Sequence, residues 1–287
     1  MKILDGKIVK AKIAEHLKTE VAALSVKPKM VILQVGDLPE SNAYIAQKKK
    51  FAEEIGVEVV HQTYAEDVTS FEIIVDIRKL NIDPDVHGII LQLPVSGHLN
   101  AGDIIDEINP AKDVDGMTST NLKKLAQNRE DGFVPATTSG IMSLLDFYGV
   151  DLEGKKALMV GRSMLVGKPT VLALLNKNAT VSIAHSKTKN LPQLMREQDI
   201  VIVAIGNPRF MTEEYFSAGQ VVVDVGINLE KVGLKEEIEG PQKTKLVGDV
   251  DFENVKEIVE AISPVPGGVG AMTVAALFQN LVKAASK

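Results

Sequence analysis

Short runs of apolar residues alternate with stretches of helical periodicity along almost the whole chain. A strand-length apolar run followed by apolar positions at helical spacing is typical of a strand–helix–strand unit. Repetition of that unit predicts crossover connections, parallel sheets buried on both faces, and an α/β fold. The predicted strands are Met30–Val35, Val57–Tyr64, Gly88–Leu93, Lys156–Val160, Thr180–Ala184, Ile200–Ile205, Val221–Val225 and Leu246–Val247. The predicted helices are Ser41–Ile55, Ser70–Leu80, Ala101–Ile108, Gly140–Tyr148, Lys168–Asn176, Leu191–Glu197 and Thr273–Ala284.

Two loops of small and turn-forming residues interrupt this pattern. Residues 133–140 (FVPATTSG) precede a helix, and a new β-α series starts at Lys155. Residues 263–270 (SPVPGGVG) precede the final helix. Clusters of this composition mark loops and domain boundaries, so the sequence predicts two domains. The pattern alone allows the final helix to pack on either of them.

The predicted helix at 41–55 carries the first candidate chemistry. Ser41 is its predicted N-cap, just after the turn residues Asp37 and Pro39. Tyr44 and Lys48 are four residues apart and share a face of the helix. A phenol and an amine that converge can perturb each other's pKa and steer a proton. A half-buried aromatic beside a solvated, lysine-rich face explains the same pattern.

A glycine turn follows the predicted strand Lys156–Val160. It runs from Gly161 to Gly167, and a helix is predicted to start near Pro169, a favoured first-turn residue. Strand, glycine turn and helix N-terminus together form a cradle for phosphate. The G-x-G-x-x-G fingerprint is absent. A phosphate-binding P-loop is excluded because five residues separate the two glycines and a proline follows Lys168.

The next strand ends in His185-Ser186-Lys187-Thr188. In a doubly wound fold, an acidic residue at this strand end would hold the ribose 2′-hydroxyl of NAD. None is present here, and Arg162 with Ser186 and Lys187 offers donors that suit the 2′-phosphate of NADP. A polar loop with an isolated basic residue explains these side chains equally well. Glycines at two later strand ends, Gly206 and Gly226, would let the backbone approach a ligand.

Composition narrows the class of protein. The hydrophobic content is 45%, which supports sizeable cores, and the net charge of −6 argues against a general nucleic-acid binder. The chain has no cysteine, and its five histidines lack metal-ligand spacing, so no metal site is predicted. Without a membrane-length apolar run or a signal-peptide core, a cytoplasmic location is predicted.

In order along nearly the whole chain, these motifs resemble the bifunctional methylenetetrahydrofolate dehydrogenase–cyclohydrolase family. Each motif alone is weak, but all of them in register are specific. The matching segments are Val35-Gly36 with Ser41, Tyr44 and Lys48; 88–94 (GIILQLP); 112–116 (KDVDG); 161–163 (GRS) with Val166-Gly167 and Pro169; 179–181 (ATV) with His185-Ser186 and Thr188; 224–228 (DVGIN); 248–250 (GDV); and 264–270 (PVPGGVG).

The resemblance implies a two-domain α/β enzyme. A folate-binding catalytic domain would comprise residues 1–138 plus 271–287, with the C-terminal helix returning to it, and a Rossmann-type doubly wound NADP-binding domain would comprise 139–270. The implied reaction is oxidation of 5,10-methylenetetrahydrofolate to the 5,10-methenyl cation by NADP, followed by hydrolysis to 10-formyltetrahydrofolate. A cytoplasmic homodimer serving one-carbon metabolism and purine biosynthesis, with no nucleic-acid or membrane partner, is also implied.

The resemblance also assigns roles to side chains. The expected catalytic residues are Lys48, Tyr44, Gln92 and Asp115. Lys48 would relay a proton during hydrolysis, and Gln92 would orient Lys48. Tyr44 would stack on the substrate with its hydroxyl linked to the Lys48 network, and Asp115 would bind the pterin. An ordinary lysine, with a pKa of about 10.4, is a poor base at neutral pH, so burial or the neighbouring lysines must lower its pKa. The expected substrate-binding residues are Tyr44, Lys48, Gln92, Leu93, Pro94, Asp115, Pro264, Gly267, Gly268 and Val269. The expected cofactor-binding residues are Gly161, Arg162, Ser163, Val166, Gly167, His185, Ser186, Thr188, Ala204, Gly206, Ile227 and Thr273.

Four segments depart from the family pattern, and two alternative functions remain open. The departures lie near the expected substrate cleft and hinge; they are Val95-Ser96, Leu122–Lys124, Ala136–Thr138 and Ala271. A short-chain dehydrogenase also uses Tyr-x-x-x-Lys, but places it after the nucleotide turn, whereas here it comes before. A non-catalytic NADP- or folate-sensing protein could share the fold, although intact Tyr44, Lys48, Gln92 and Asp115 argue against it.

Overall fold

The structure, a computed structural model, describes residues 1–232 and 243–287. The alternation of strands and helices predicted from the sequence is confirmed. The strands are β1 (Lys2–Ile3), β2 (Lys29–Val35), β3 (Glu58–Tyr64), β4 (Gly88–Gln92), β5 (Lys156–Val160), β6 (Thr180–Ala184), β7 (Ile200–Val203), β8 (Val221–Asp224), β9 (Asn228–Val232), β10 (Lys243–Val247) and β11 (Ala261–Ile262). The helices are α1 (Gly6–Ala23), α2 (Pro39–Ile55), α3 (Ser70–Ile82), α4 (Ala101–Asp106), α5 (Ser119–Ala126), α6 (Ala136–Phe147), α7 (Gly167–Leu175), α8 (Leu191–Arg196), α9 (Phe252–Val255) and α10 (Val269–Ala285).

The chain forms two compact units. Unit 1 comprises Met1–Val9 and Gly140–Met272, and unit 2 comprises Lys10–Ser139 and Thr273–Lys287. The end of the C-terminal helix therefore groups with the residues that carry Lys48. Residues 1–9 instead belong to unit 1, because β1 pairs in parallel with β11. The domain boundaries expected from the sequence, which placed residues 1–9 with the catalytic domain, stay a prediction.

Unit 1 contains a six-stranded parallel sheet in the order β1-β11-β8-β7-β5-β6. The four residues of β7 are all buried, as a central strand covered on both faces requires. The strand predicted at Leu246–Val247 does not join this sheet. It belongs to β10, which pairs antiparallel with β9, and Leu246 is too exposed, at 38%, for a strand buried on both faces.

Unit 2 contains a three-stranded parallel sheet in the order β3-β2-β4. Alternate residues of β2 point to opposite faces. Met30 and Ile32 pack in one core with residues of α1, α2 and α10, and Val31 and Leu33 pack in another with residues of α3 and α4. Gln34 continues the first face and stands in register with Gln92 of β4. Both amides therefore lie on the face that α2 covers.

Helix α2 begins earlier than the sequence predicted. Pro39 occupies the first turn and Leu38 is the N-cap residue, without a side-chain cap. The ring of the proline sets the helical φ angle, and the N–H that it lacks is one of the first-turn donors that have no partner within a helix, so proline favours the start of a helix. Ser41 lies within the first turn and is buried. Its predicted role as the N-cap is wrong.

The prediction had no counterpart for α1, which begins in unit 1 and continues into unit 2, or for α5 of unit 2. In α1, Val9, Ile13 and Leu17 recur at a spacing of four, and Leu17 enters the core. In α5, the Thr118 hydroxyl accepts a hydrogen bond from Asn121 N, which caps the helix. Within residues 1–232 and 243–287, no helix is both long and apolar enough to cross a bilayer.

Candidate active site

The amine of Lys48 lies at the end of strand β4. Helix α2 carries it there, and its Nζ donates a hydrogen bond to Gln92 Oε1 over 2.9 Å. The amide of Gln92 is itself oriented, because its Nε2 donates to the Leu93 carbonyl oxygen at 2.8 Å. The expectation that Gln92 holds Lys48 thus agrees with the geometry. Leu93 and Pro94, which follow directly in the chain, lie beside this pair.

Asp115 reaches the same place through a tight turn. The preceding Asp113 is buried, and its carboxylate accepts hydrogen bonds from the backbone of Met117 (3.1 Å) and Thr118 (2.7 Å). The turn ends at Gly116, whose φ of +72° favours glycine. Asp113 therefore builds the turn, and the Asp115 side chain is left to interact with the charge of Lys48.

For both Lys48 and Asp115, burial and the attraction between their opposite charges shift the pKa in opposite directions. Burial lowers the pKa of Lys48, and the negative charge of Asp115 opposes that shift. Burial raises the pKa of Asp115, Lys48 opposes this second shift, and Asp113 adds to it. The sequence suggested burial or neighbouring lysines as the cause for Lys48; the structure gives burial. It also shows that the charges of Lys48 and Asp115, both expected to be catalytic, act on each other.

Tyr44 lies one turn before Lys48 on helix α2. Its side chain is half-buried, and burial raises the pKa of its phenol. Within the part of the chain that the structure describes, its hydroxyl makes no direct hydrogen bond to Lys48, and the expected link to the Lys48 network stays a prediction. The ring remains suitable for stacking on a planar ligand.

A chain of hydrogen bonds that the sequence analysis missed ties α2 to the sheet. Gln34, which is 1% exposed, donates to Asn42 Oδ1 (2.9 Å), and its Oε1 lies 2.7 Å from His61 Nε2. Asn42 donates to Asp37 Oδ1 (2.6 Å), and Lys49 Nζ lies 3.2 Å from His61 Nδ1. These bonds hold α2 on both sides of Tyr44 and Lys48. The sequence feature that could have indicated these bonds is Gln34, a polar residue within the otherwise apolar run of β2.

The glycine turn of unit 1 follows β5 and is built for close backbone packing. Gly161 has a φ of +125°, and its N–H donates to Ala184 O at 2.9 Å. Gly167 begins α7, and a Cβ there would collide with the backbone of Gly161 and Arg162. The Ser163 hydroxyl accepts a hydrogen bond from Val166 N at 3.2 Å. A tight turn into a helix N-terminus fits a dinucleotide phosphate.

The turn after β6 lies beside this glycine turn, because Val160 and Ala184 are paired in the sheet. Thr188 closes the turn: its hydroxyl accepts from His185 N at 2.9 Å, and its N–H donates to His185 O at 2.8 Å. Ser186 at the tip and Arg162 in the neighbouring turn are both exposed. Donors on two adjacent strand ends suit a phosphate group.

The loop after β7 is held by a carboxylate that the sequence analysis did not single out. Buried Asp249 accepts hydrogen bonds from the backbone N–H groups of Ile205 (2.6 Å), Gly206 (3.0 Å) and Asn207 (2.9 Å). The Gly206 N–H is therefore satisfied within the protein. Ala204 and Gly206, expected to bind cofactor, can offer a ligand their backbone surface and carbonyl groups.

The remaining predicted residues divide between the units. Pro264, Gly267, Gly268, Val269 and Ile227 belong to unit 1. Thr273 belongs to unit 2, where its hydroxyl lies 3.4 Å from that of Thr137. It is thus separated by unit from the other predicted cofactor residues, because α10 begins in unit 1 and continues into unit 2. Within the described residues, no group of three or more His, Asp or Glu side chains could hold a metal ion.

A doubly wound parallel sheet with a glycine turn at a helix N-terminus defines unit 1 as a dinucleotide-binding domain, so the molecule is of the class of two-domain, nucleotide-dependent α/β enzymes. Two domain models of one family match the sequence. Residues 4–115 match the tetrahydrofolate dehydrogenase/cyclohydrolase catalytic domain, and residues 135–287 match the NAD(P)-binding domain of the same family. The chain belongs to the tetrahydrofolate dehydrogenase/cyclohydrolase family, and the predicted resemblance is confirmed.

Related sequences match over nearly the whole of this chain. The bifunctional protein FolD of Campylobacter fetus is 43% identical over 290 residues, covering 99% of this chain and 98% of that protein. The cytoplasmic C-1-tetrahydrofolate synthase of Schizosaccharomyces pombe is 41% identical over 289 residues, but this chain spans only 30% of its length.

Solved structures agree in fold. The FolD methylenetetrahydrofolate dehydrogenase/cyclohydrolase of Campylobacter jejuni has a TM-score of 0.93 and 41% identity, over 100% of this chain and 99% of that one. The Trypanosoma brucei enzyme, solved with NADP cofactor and inhibitor, has a TM-score of 0.91 and 31% identity, over 99% of this chain and 97% of that one.

Proposed function

We propose that this chain oxidises 5,10-methylenetetrahydrofolate to the 5,10-methenyl cation with NADP and hydrolyses that cation to 10-formyltetrahydrofolate. The observation that carries the proposal is the bond between Lys48 and Gln92, with Asp115 coupled to the same amine. Family membership supplies the substrate class and the cofactor. No observation favours the sensing protein considered as an alternative.

Lys48 performs the proton transfer of the hydrolysis. Water adds to the carbon of the methenyl cation and loses a proton, which a neutral amine can accept. Burial lowers the pKa of Lys48 and so raises the fraction of neutral amine at physiological pH. Gln92 holds the nitrogen by accepting one of its hydrogens, and leaves the lone pair of the neutral amine free to accept a proton.

Asp115 and Tyr44 bind the folate. The aminopyrimidine edge of the pterin presents N–H donors, which a carboxylate can accept in a bidentate manner. The ring of Tyr44, on the same helix as Lys48, stacks on a planar part of the substrate. Leu93 and Pro94 provide further apolar surface next to Gln92, and Pro264, Gly267, Gly268 and Val269 complete the proposed set of folate-binding residues.

Unit 1 holds NADP, which when bound supplies the hydride acceptor for the oxidation. Gly161, Ser163, Val166 and Gly167 form the turn that would hold its phosphates. Arg162, Ser186 and Thr188, with His185, would hold the 2′-phosphate. The proposed set is completed by Ala204, Gly206, Ile227 and Thr273.

Three further statements belong to the proposal. The protein acts as a homodimer, it is located in the cytoplasm, and its product supplies one-carbon units for purine biosynthesis. Each is supported by the family resemblance. The proposal includes no nucleic-acid partner, which is supported by the net charge of −6.

The decisive experiment assays the two reactions separately in the wild type and in Lys48→Met. NADPH formation with methylenetetrahydrofolate tests the oxidation, and loss of methenyltetrahydrofolate absorbance tests the hydrolysis. Because removal of a general base typically costs about 100-fold or more, we expect at least that loss in hydrolysis for Lys48→Met.

The matched control is Lys50→Met, which removes an exposed lysine of the same helix. We expect it to keep both activities. Near wild-type hydrolysis by Lys48→Met would disprove the role of Lys48, and a wild type that forms no NADPH would disprove the oxidation.

A further inference from the structure

Asn280 of helix α10 joins two backbone segments of unit 2. Its side chain is 9% exposed, and its Nδ2 donates to Val114 O over 2.9 Å and to Val134 O over 3.1 Å. Both hydrogens of the amide nitrogen are therefore used. Val114 directly precedes Asp115, and Val134 lies in the segment that leads into α6.

The same two segments are in contact on the other side of Asp115. The Asp115 carbonyl oxygen accepts a hydrogen bond from Ala136 N at 3.1 Å. At Gly116, a Cβ atom would come within 2.7 Å of Pro135 N, so only glycine allows the two backbones to lie this close. Asp115 thus lies between two hydrogen bonds: the Asn280 side chain donates to the preceding carbonyl oxygen of Val114, and the Asp115 carbonyl oxygen accepts from Ala136 N.

The carboxylate of Asp115 depends on this backbone for its position. Among residues 1–232 and 243–287, no donor forms a hydrogen bond with its carboxylate; Lys48 acts on it through charge. Without hydrogen-bonded partners, this side chain is placed by its backbone, its rotamer and the charge of Lys48. A small displacement of the turn would therefore move the carboxylate relative to Lys48.

We propose that Asn280 is a positioning residue for folate binding, acting through the turn that carries Asp115. The inference rests on the proposed function, in which Asp115 binds the pterin. Loss of the Asn280 hydrogen bonds releases the Val114 carbonyl and loosens the turn. The substrates of both reactions carry the pterin that Asp115 binds, so both reactions lose folate affinity together, while NADP affinity stays the same.

The test variant is Asn280→Asp, which keeps the size of the side chain but places a carboxylate against two carbonyl oxygens. We expect the folate KM to rise roughly five- to tenfold in both reactions, as for loss of a buried hydrogen bond, with the NADP KM within about twofold of wild type. At lower pH the new carboxyl becomes protonated and can donate again, so the folate KM should move back toward the wild-type value.

Gln220→Glu is the matched control, because Gln220 is also a buried amide that bridges two carbonyls. It is 2% exposed, lies in unit 1, and donates to Met195 O and Gln198 O, both at 2.7 Å. We expect it to lower the melting temperature to a similar degree without raising the folate KM. Should Asn280→Asp not fold, Asn280→Ala removes the same donors without burying a charge.

Two results would overturn the proposal. One is a folded Asn280→Asp or Asn280→Ala enzyme with wild-type folate KM, and the other is an equal rise in the NADP KM. Asp115→Asn, measured in parallel, separates this failure from that of the proposed function. If Asp115→Asn raises the folate KM and the Asn280 variants do not, only the role of Asn280 is wrong. If Asp115→Asn leaves the folate KM unchanged, the role of Asp115 fails and that of Asn280 fails with it.

Discussion

At the scale of single residues, the chemistry of Lys48 depends on having an amide as its hydrogen-bond partner. Burial favours the neutral amine, and Asp115 already opposes this effect with one negative charge. A second carboxylate next to Lys48 would stabilise the ammonium further. Gln92 holds the nitrogen at 2.9 Å without adding that charge.

Gln92→Glu tests this balance. The new carboxylate would raise the pKa of Lys48, since an opposite charge at this distance shifts a pKa by about 1–3 units. A base must be neutral to accept a proton, so the pH profile of hydrolysis should move to higher pH. At pH 7 the rate should fall about tenfold or more.

Gln92→Met is the control for that experiment. It removes the hydrogen bond without adding a charge, so the rate should fall while the pH profile does not move upward. An unchanged profile for Gln92→Glu would show that Lys48 is not the group that titrates.

At the scale of elements, helix α2 performs two tasks on neighbouring faces. One face presents Tyr44 and Lys48 to the site. The other binds the sheet through Asn42 and Lys49, which connect to buried Gln34 through the hydrogen-bond chain that includes His61. Burial and the charge of Lys49 both lower the pKa of His61, so the imidazole remains neutral and joins Lys49 to Gln34.

The turns after β5 and β6 are predicted to decide the preference for NADP over NAD. In Arg162→Ala/Ser186→Ala, the donors proposed for the 2′-phosphate are removed while the glycine turn is kept. We expect the KM for NADP to rise about tenfold or more, as for loss of charge-assisted hydrogen bonds, and the KM for NAD to change little.

Lys177→Ala is a suitable control, since Lys177 is an exposed cation just after α7. It should leave both cofactor constants unchanged. An equal loss of NADP and NAD affinity in the double variant would contradict the assignment of these side chains to the 2′-phosphate.

At the scale of the whole molecule, the sequence predicts no metal site, and this prediction can be tested on both activities. The chain contains no cysteine, and the described residues offer no cluster of three or more His, Asp or Glu ligands. We therefore expect millimolar EDTA to leave oxidation and hydrolysis unchanged, in assays run beside a zinc enzyme that EDTA inactivates. Loss of activity that Mg²⁺ restores would disprove this prediction.

The sequence by itself determined the α/β class, the division into two domains, the glycine turn at Gly161 and the placement of Tyr44 and Lys48 on one helix. Periodicity, glycine turns and helical spacing are local properties, so they can be read from neighbouring positions. A local pattern also gave one wrong prediction, at the start of α2. Ser41 was predicted to be the N-cap, but the helix begins at Pro39.

Only the tertiary structure decided how far Lys48 is desolvated, which charge opposes the shift of its pKa, and which buried amides support the site. Asp249 binds Ile205 across 44 positions of the chain, and Asn280 binds Val114 across 166. The physical reason is that burial and long-range hydrogen bonds depend on which surfaces the fold brings together, and no local pattern records that.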